Sequence, residues 1–324
     1  MSNKTIEALK GQYVYTIAFH EDEEELCRME MRALFGVEPI HGCVRSDKNL
    51  DPSRSPFIRG KLAVDLEASD VDGIAGQAGD AVHLQGQTFK VVFMETDDRM
   101  TYEQQRSIER QVGWRIRGKA EMRRPDRLLG IACVKGSWLF GAYEKSEAVW
   151  LKHNKKPQPY STALSTRVAR AVVNIAAGDS PPDKLKLIDP CCGIGTVVIE
   201  ALSMGIDIIG YDHNPLALKG ARVNLAHFEM PDVVARADMR TLDPAGDSGG
   251  YDAAIIDLPY NLCSVLSAGE RLDMLLSARR LAKRVLIVTT ETIDDTIMEA
   301  GLHIVDRCTV RKGSFSRQII ACKS

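Results

Sequence analysis

The second half of the chain alternates short apolar strands with amphipathic helices. Strands are predicted at 185–188, 206–211, 233–237, 253–256, 285–289 and 304–310, and helices at 196–204, 215–226 and 270–282. Such repetition is typical of a parallel, doubly wound α/β sheet with helices on both faces. Apolar segments on either side of Lys312-Gly313 indicate an antiparallel hairpin at the end of this sheet.

The first half of the chain has a mixed pattern that predicts a smaller α+β domain. Strands are predicted at 13–19, near 88–94, and in a hairpin of 128–134 and 137–143, helices at 22–35 and 102–117, and a loop at 41–60. A stretch rich in lysine and proline, 152–160, suits a linker. We therefore expect an α+β domain at 1–150, a linker at 151–164 and the α/β domain at 165–324.

Several classes of protein are excluded by what the chain lacks. No apolar run approaches the ~18 residues of a membrane span, and the N-terminus lacks the apolar core of a secretory signal. We therefore expect a cytoplasmic protein with no membrane partner. The eight cysteines form no C-x-x-C pair, which indicates neither a zinc site nor a disulfide framework, so no metal is expected.

Three acidic residues follow three successive predicted strands. Asp189 follows the first strand, Asp212 ends the second and Asp238 follows the third. Ligands of such sheets bind at the carboxyl ends of the strands. Asp189 can bind an ammonium group, Asp212 the hydroxyls of a ribose, and Asp238 the amino group of an adenine. Taken singly, each acid is explained as a helix cap or loop residue. Together they predict a site for S-adenosylmethionine (SAM).

A glycine-containing loop follows Asp189 and lets the backbone approach a ligand closely. The dinucleotide fingerprint G-x-G-x-x-G would need a glycine at position 198, where the chain has Val198, so a NAD-dependent oxidoreductase is the least favoured alternative. The predicted cofactor contacts are Asp189, Pro190, Cys191, Gly193, Gly195, Thr196, Asp212, His213, Asp238 and Met239.

The fourth predicted strand ends in Asp257-Leu258-Pro259-Tyr260. An exocyclic amino group of a base is a poor nucleophile because its lone pair is delocalised into the ring. The Asp257 carboxylate and the Leu258 carbonyl would accept its two N–H groups and free the lone pair for attack on a methyl group. Pro259 would stiffen the turn, and Tyr260 would stack on the base. These four residues are the predicted catalytic residues; a proline turn that caps a core strand is the alternative.

Basic residues are concentrated in one part of the chain although the formal net charge is -2. Between Arg99 and Arg127 there are nine Lys or Arg and four acidic residues, and a second basic run follows at 152–156. This distribution predicts an RNA partner, with solvated helix faces as the alternative. The predicted RNA contacts are Arg106, Arg110, Arg117, Lys119, Arg123, Arg124, Lys155 and Lys156.

At these motifs the chain resembles amino-methyltransferases with an (Asp/Asn/Ser)-Pro-Pro-(Tyr/Phe) turn, and more closely the THUMP-type tRNA guanosine-N2 methyltransferases and their RNA methylase relatives. Asp189, Gly193 and Gly195 match the first SAM motif of that family, Asp212 its ribose-binding acid, Asp238 its adenine-contacting acid, and Asp257, Pro259 and Tyr260 its catalytic turn. Leu258 departs from the family pattern, which usually has a proline there.

The resemblance covers 156–324 with specific motifs and 1–155 only loosely, through 102–117 and 123–143. It implies a Rossmann-like SAM methyltransferase domain, preceded by a ferredoxin-like and THUMP-like α+β domain. It also implies RNA, and most specifically tRNA, as the partner and N2-methylguanosine as the product. Three alternatives stay open: a DNA adenine-N6 methyltransferase, a protein glutamine methyltransferase, and a non-catalytic SAM- or RNA-binding module. The sequence sets no oligomeric state and is compatible with a monomer.

Overall fold

The computed structural model of the protein describes residues 11–97, 100–160, 163–243, 250–259, 267–313 and 315–324. The elements up to residue 145 are β1 Tyr13–Ile17, α1 Glu24–Phe35, β2 Cys43–Ser46, β3 Ile58–Ala68, α2 Val71–Ala81, β4 Thr88–Phe93, α3 Tyr102–Arg115, β5 Lys119–Ala120, β6 Arg127–Val134 and β7 Ser137–Lys145. The following elements are α4 Trp150–His153, α5 Thr166–Ala177, β8 Lys186–Asp189, α6 Thr196–Ser203, β9 Asp207–Asp212, α7 Pro215–His227, β10 Val234–Arg236, β11 Ala253–Asp257, α8 Ala268–Leu281, β12 Arg284–Thr289, α9 Asp294–Glu299, β13 His303–Lys312 and β14 Phe315–Lys323.

The chain divides into two compact units. The first takes in the chain up to Ala18 together with Val37–Glu147, and the second comprises Phe19–Gly36 and Ala148–Ser324. Helix α1 therefore belongs to the second unit although it precedes most of the first unit in the sequence. No described helix combines the length and the apolar character that are needed to cross a bilayer.

The described strands of the first unit form one mixed sheet in the order β2-β1-β3-β7-β6-β4-β5. Helices α2 and α3 cover it through a core that includes Ile74, Val112 and Phe140. The predicted loop at 41–60 was wrong in part, because it contains β2 and the start of β3. Charged residues such as Lys61 and Asp65 interrupt the apolar pattern of β3 and hide it in the sequence.

Helix α2 was not predicted, because Gly73, Gly76 and Gly79 lower the helix propensity of its sequence. The helix begins at Asp70, whose carboxylate accepts the Gly73 N–H at 2.7 Å. Gly79 faces α3 so closely that a Cβ there would lie 2.7 Å from the Arg115 carbonyl oxygen. A glycine that looks unfavourable in the sequence thus permits close packing of two helices.

The described strands of the second unit form a sheet in the order β10-β9-β8-β11-β12-β14-β13. The first five strands in this order, β10, β9, β8, β11 and β12, run parallel to their neighbours. Strand β14 runs antiparallel to both β12 and β13. This confirms the predicted doubly wound sheet with an antiparallel C-terminal hairpin. Strand order reverses between β8 and β11, so the ends of these strands form the switch point at which such sheets bind ligands.

Buried charged groups hold the helices beside this sheet. The Glu200 carboxylate, fully buried on α6, accepts a hydrogen bond from Arg170 of α5 at 2.9 Å and lies 2.6 Å from His153 Nδ1 of α4. Asn174 Nδ2 of α5 donates to Glu30 Oε1 of α1 at 2.6 Å, and both residues are fully buried. Buried charges require such partners, so these contacts fix how α1, α4, α5 and α6 pack.

Candidate cofactor and catalytic site

A cavity of about 550 Å³ opens at the switch point of the second sheet. Its walls come from the ends of β8, β9 and β11, the start of α7, and the segment that precedes α5. Predicted site residues in its lining are Asp189, Cys191, Gly193, Thr196, Asp212, His213, Asp257, Leu258 and Pro259. The structure therefore brings three of the four predicted acids to one cavity.

The loop between β8 and α6 shapes the floor of the cavity. Gly193 and Gly195 have φ angles of 53° and 80°, in the left-handed region that favours glycine. The Gly193 N–H donates to Asp212 Oδ2 at 2.8 Å, and the Gly195 N–H donates to the Cys192 carbonyl at 2.8 Å. These bonds fold the loop tightly. Among the described residues, no atom lies within 4 Å of the position of a Cβ at Gly193, so a ligand can approach the backbone there.

Asp189 is buried at the base of the cavity. Burial raises the pKa of its carboxyl group well above 3.8; the Cys191 N–H opposes this shift, and the charges of Asp257 and Asp212 add to it. Three carboxylates around one cavity repel one another and stabilise a cation. SAM carries an ammonium and a sulfonium group, so the charge of the cavity fits this cofactor.

Two further features of the cavity fit the same cofactor. The Asp212 carboxylate accepts the Gly193 and Asn214 N–H groups, both at 2.8 Å, which fixes the orientation of this acceptor in the lining; its contact with a ribose stays a prediction. The Thr196 hydroxyl is buried in the lining and has no hydrogen-bond partner among the described atoms. An unpaired buried hydroxyl is costly, and a polar ligand would supply its partner.

Asp238 is placed differently from the other predicted acids. Its carboxylate binds the Arg240 guanidinium, with Arg240 Nη2 2.6 Å from Oδ2, and this hydrogen bond lowers the pKa of Asp238 to about 2. Among the described residues, neither Asp238 nor its neighbour Met239 lines the cavity. Met239 is buried, with its Sδ 3.6 Å from Cys191 Sγ. An adenine contact by Asp238 stays a prediction.

The predicted catalytic turn follows β11. Asp257, Leu258 and Pro259 line the cavity, while Tyr260 lies outside the described residues. The Leu258 N–H donates to the Val288 carbonyl of β12 at 2.9 Å, and the Leu258 side chain is buried in the core beside Met274 and Ile287. The backbone is thereby anchored at the residue after Asp257. The carboxylate of Asp257 and the carbonyl of Leu258 stay the predicted acceptors of an amino group.

Asn224 is a site residue that the sequence analysis missed. It is fully buried on α7, where its Nδ2 donates to the carbonyl oxygens of Gln158 and Ile194, both at 3.1 Å, and its Oδ1 accepts the Gln158 N–H at 2.9 Å. One amide thus joins the segment before α5 to the glycine loop, and both line the cavity. The signal in the sequence is a polar residue on the apolar side of α7, next to Leu225.

The predicted RNA contacts fall in both units. Arg106 and Arg110 lie on α3, Arg117, Lys119, Arg123 and Arg124 follow it in the first unit, and Lys155 and Lys156 belong to the second unit. Lys156 is half-buried; its Nζ donates to the His153 carbonyl at 3.0 Å and to Thr166 Oγ1 at 3.3 Å, and burial lowers its pKa. These bonds give Lys156 a structural role within its own unit.

Neither metal chemistry nor disulfides are suggested by the part of the chain that the structure describes. It contains no group of three or more His, Cys, Asp or Glu that could hold a metal ion. The described cysteines are free thiols, and all of them except Cys191 are buried.

Residues 153–289 match the family UPF0020, described as the RMKL-like methyltransferase domain. The predicted resemblance to RNA methylases is confirmed for this part of the chain, which includes Asp189, Asp212 and Asp257.

Similar proteins include two archaeal enzymes named tRNA (guanine(10)-N2)-dimethyltransferase. The one from Methanothermobacter thermautotrophicus is 29% identical over 182 residues, covering 52% of this chain and 51% of the relative. The one from Pyrococcus abyssi is 26% identical over 152 residues, covering 46% and 45%. The chain thus matches about half the length of these relatives. Among solved structures, TrmN from Thermus thermophilus aligns with a TM-score of 0.49 and 18% identity over 97% of this chain and 99% of that one.

Proposed function

Residues 153–289 form a SAM-dependent methyltransferase domain of the RMKL-like type, and from this premise we propose that the protein methylates an exocyclic amino nitrogen of an RNA base. The base we propose is guanine, methylated at N2, in tRNA. The names of the two archaeal relatives support both the guanine N2 atom and the tRNA substrate. A tRNA substrate in turn favours a cytoplasmic location.

One observation carries the proposal: the turn Asp257-Leu258-Pro259 lines the same cavity as Asp189 and Asp212. A ligand held by Asp189 and Asp212 would therefore lie next to a carboxylate and a main-chain carbonyl. Such a pair of acceptors matches the two N–H groups of an amino substituent. A hydroxyl or a carbon nucleophile would have no use for two acceptors at this point.

In the proposed reaction the bound cofactor supplies an electrophilic methyl group on a sulfonium. Asp257 and the Leu258 carbonyl accept the two N–H groups of the base and turn its nitrogen lone pair toward the cofactor. The hydrogen bond from Leu258 N–H to Val288 fixes the peptide plane between Asp257 and Leu258, next to this carbonyl, before the substrate arrives. As the new N–C bond forms, the bond between the sulfonium sulfur and the methyl group would break and leave a neutral thioether, and Asp257 would take the proton that the amine loses.

Nucleoside mass spectrometry tests the proposal. Unmodified tRNA incubated with the protein and SAM carrying a labelled methyl group should yield labelled N2-methylguanosine. The same incubation with duplex DNA and with a glutamine-containing peptide separates the other chemistries. Label in N6-methyladenine of DNA or in the glutamine amide, with none in RNA, would overturn the proposal, and so would the absence of transfer to any of the three.

A further inference from the structure

Helix α3 presents an exposed face made of aromatic and basic side chains. Tyr102, Arg106, Arg110 and Trp114 are spaced by four residues, so each side chain lies next to the following one and the four form a continuous stripe that winds by about 120° around the helix. Trp114 is 89% exposed and Tyr102 is 70% exposed. We call these four residues the Tyr102–Trp114 face. Two aromatic side chains this exposed indicate an interaction surface, since folding alone gains nothing from leaving them in water.

The other side of α3 holds this face in a fixed orientation. Gln105, Glu109 and Val112 are buried, and Glu109 Oε1 accepts the Phe93 N–H of β4 at 2.8 Å. A capping box of Thr101 and Gln104 closes the start of the helix. The contact between Gly79 and Arg115 fixes its end against α2. Trp114 is thus displayed by a well-packed helix.

The positive charge of the face indicates that its partner is negatively charged. Residues 102–119 contain five Lys or Arg and two Glu, and one of these acids, Glu109, is buried and bound to Arg106 at 2.7 Å. The Arg106 guanidinium lies 5.1 Å from the centre of the Tyr102 ring, and Arg110 Nε donates to the Arg106 carbonyl at 3.3 Å. The two arginines therefore lie next to each other along the helix, with one aromatic ring before them and one after.

We propose that the Tyr102–Trp114 face binds an unpaired stretch of RNA, with a base stacked on the Trp114 indole and phosphates bound by Arg106 and Arg110. This inference rests on the proposed RNA methyltransferase function and adds a recognition site for the unpaired part of the substrate. Stacking tolerates any base, because every base has a flat π-face, while the arginines supply the attraction to the backbone.

A protein partner fits the face less well. Tyr102 and Trp114 are twelve positions apart, which is about 18 Å along the helix at about 1.5 Å per residue, and the two arginines separate the aromatic rings along this length. Tyr, Trp and Arg are common at protein interfaces, but the fully buried centre of such an interface is a contiguous apolar patch, which this face does not have. A single strand of RNA offers bases to the rings and phosphates to the cations, so it complements the whole face.

Tryptophan fluorescence tests the inference directly. Of the three tryptophans, Trp138 and Trp150 are only 8% and 3% exposed, so RNA that quenches the emission reports on Trp114. A 12-nucleotide single-stranded RNA should quench wild-type protein and a duplex of the same sequence should quench it less. Variants of Trp114 lack this reporter, so their affinities are measured by the anisotropy of an end-labelled RNA. W114A should bind the single strand about tenfold more weakly, and W114F, which keeps an aromatic ring, within about threefold of wild type.

Matched controls separate this inference from a folding defect. M298A removes an exposed apolar side chain from α9 and should bind the RNA like wild type. All three variants should keep the wild-type melting temperature and SAM affinity.

The outcomes distinguish the inference from the proposed function. If wild-type protein methylates tRNA but W114A binds the single strand and uses tRNA as well as wild type does, the inference alone fails. If wild type neither binds nor methylates any RNA, both fail. A concentration-dependent dimer that W114A abolishes, without quenching by RNA, would identify the face as a protein interface and overturn the inference.

Discussion

The backbone N–H of Leu258 donates a hydrogen bond to the carbonyl oxygen of Val288 at 2.9 Å. This bond extends the pairing of β11 and β12 by one residue into the predicted catalytic turn. A proline at position 258, which the family resemblance would favour, has no N–H and could not make the bond. Two features of Leu258 therefore hold the turn: its hydrogen bond to the neighbouring strand and its side chain, which is only 3% exposed. A proline at this position would instead restrict the turn through its ring.

The substitution L258P should accordingly destabilise the protein. It removes one buried hydrogen bond, leaves the Val288 carbonyl without its donor, and deletes part of an apolar side chain from the core. We expect the free energy of unfolding to fall by about 1–3 kcal/mol in urea denaturation. L258M keeps the N–H and the volume and should cost less than about 1.5 kcal/mol. A proline variant as stable as wild type would mean that the Val288 bond contributes nothing.

Asp257 should act in methyl transfer and contribute little to cofactor affinity. Its carboxylate is the predicted acceptor for the substrate amino group, whereas Asp189 and Asp212 are the predicted cofactor ligands. D257A should lower kcat about 100-fold or more, with the SAM Kd within about threefold of wild type by calorimetry. D257N keeps one acceptor oxygen and should retain more activity. Loss of SAM binding in D257A would show that its role is misassigned.

Asp189 should make SAM binding and stability respond to pH in opposite directions. Burial raises the pKa of the folded residue well above 3.8, so the folded state keeps a proton at pH values where the unfolded chain has lost it. The stability of the ligand-free protein therefore falls as pH rises through this range. Binding of a cationic cofactor improves over the same range, because it needs the ionised form.

The variant D189N separates these two effects. Asn does not titrate, so the ligand-free variant should melt at a higher temperature than wild type at neutral pH and should depend less on pH. Its affinity for SAM should fall about 30-fold or more, because a buried charge pair is lost. A variant that binds SAM like wild type would exclude Asp189 as the partner of the ammonium group.

Asn224 should act as a positioning residue for the cofactor cavity. N224A removes the partner of the buried Ile194 carbonyl and two partly buried bonds to the Gln158 backbone, which should cost about 1–3 kcal/mol of stability. Because both joined segments line the cavity, we expect the KM for SAM to rise about tenfold while kcat at saturating SAM changes less than threefold. N154A, at an exposed asparagine, is the matched control and should change neither. Equal losses in kcat and stability without a change in KM would point to a purely structural role.

The sequence predicted most elements of the second unit, because the strands are short apolar runs bounded by turns and the longer helices have an apolar stripe; it did not predict the short helices α4 and α9. Of the four acids predicted at the site, three share the cavity, since the carboxyl ends of neighbouring parallel strands meet at one edge. Most of what the sequence did not predict depends on contacts between distant residues. The approach of Gly79 to Arg115 and the bond of Asn224 to Ile194 join residues 30 or more positions apart. The pairing of Asp238 with Arg240 is local, between residues two positions apart, and the sequence analysis missed it because it considered Asp238 only as a ligand of the cofactor.

The bond between Asn174 and Glu30 joins residues that are 144 positions apart in the chain. Helix α1 leaves the ribosome long before α5, the helix on which it packs. At about 5–20 residues per second, its apolar side waits roughly 7–30 s for that partner during synthesis. A fragment that starts at Ala148 never receives this helix at all. The unit that carries the methyltransferase domain therefore cannot be excised by one cut, and completes its folding only after most of the protein has been translated.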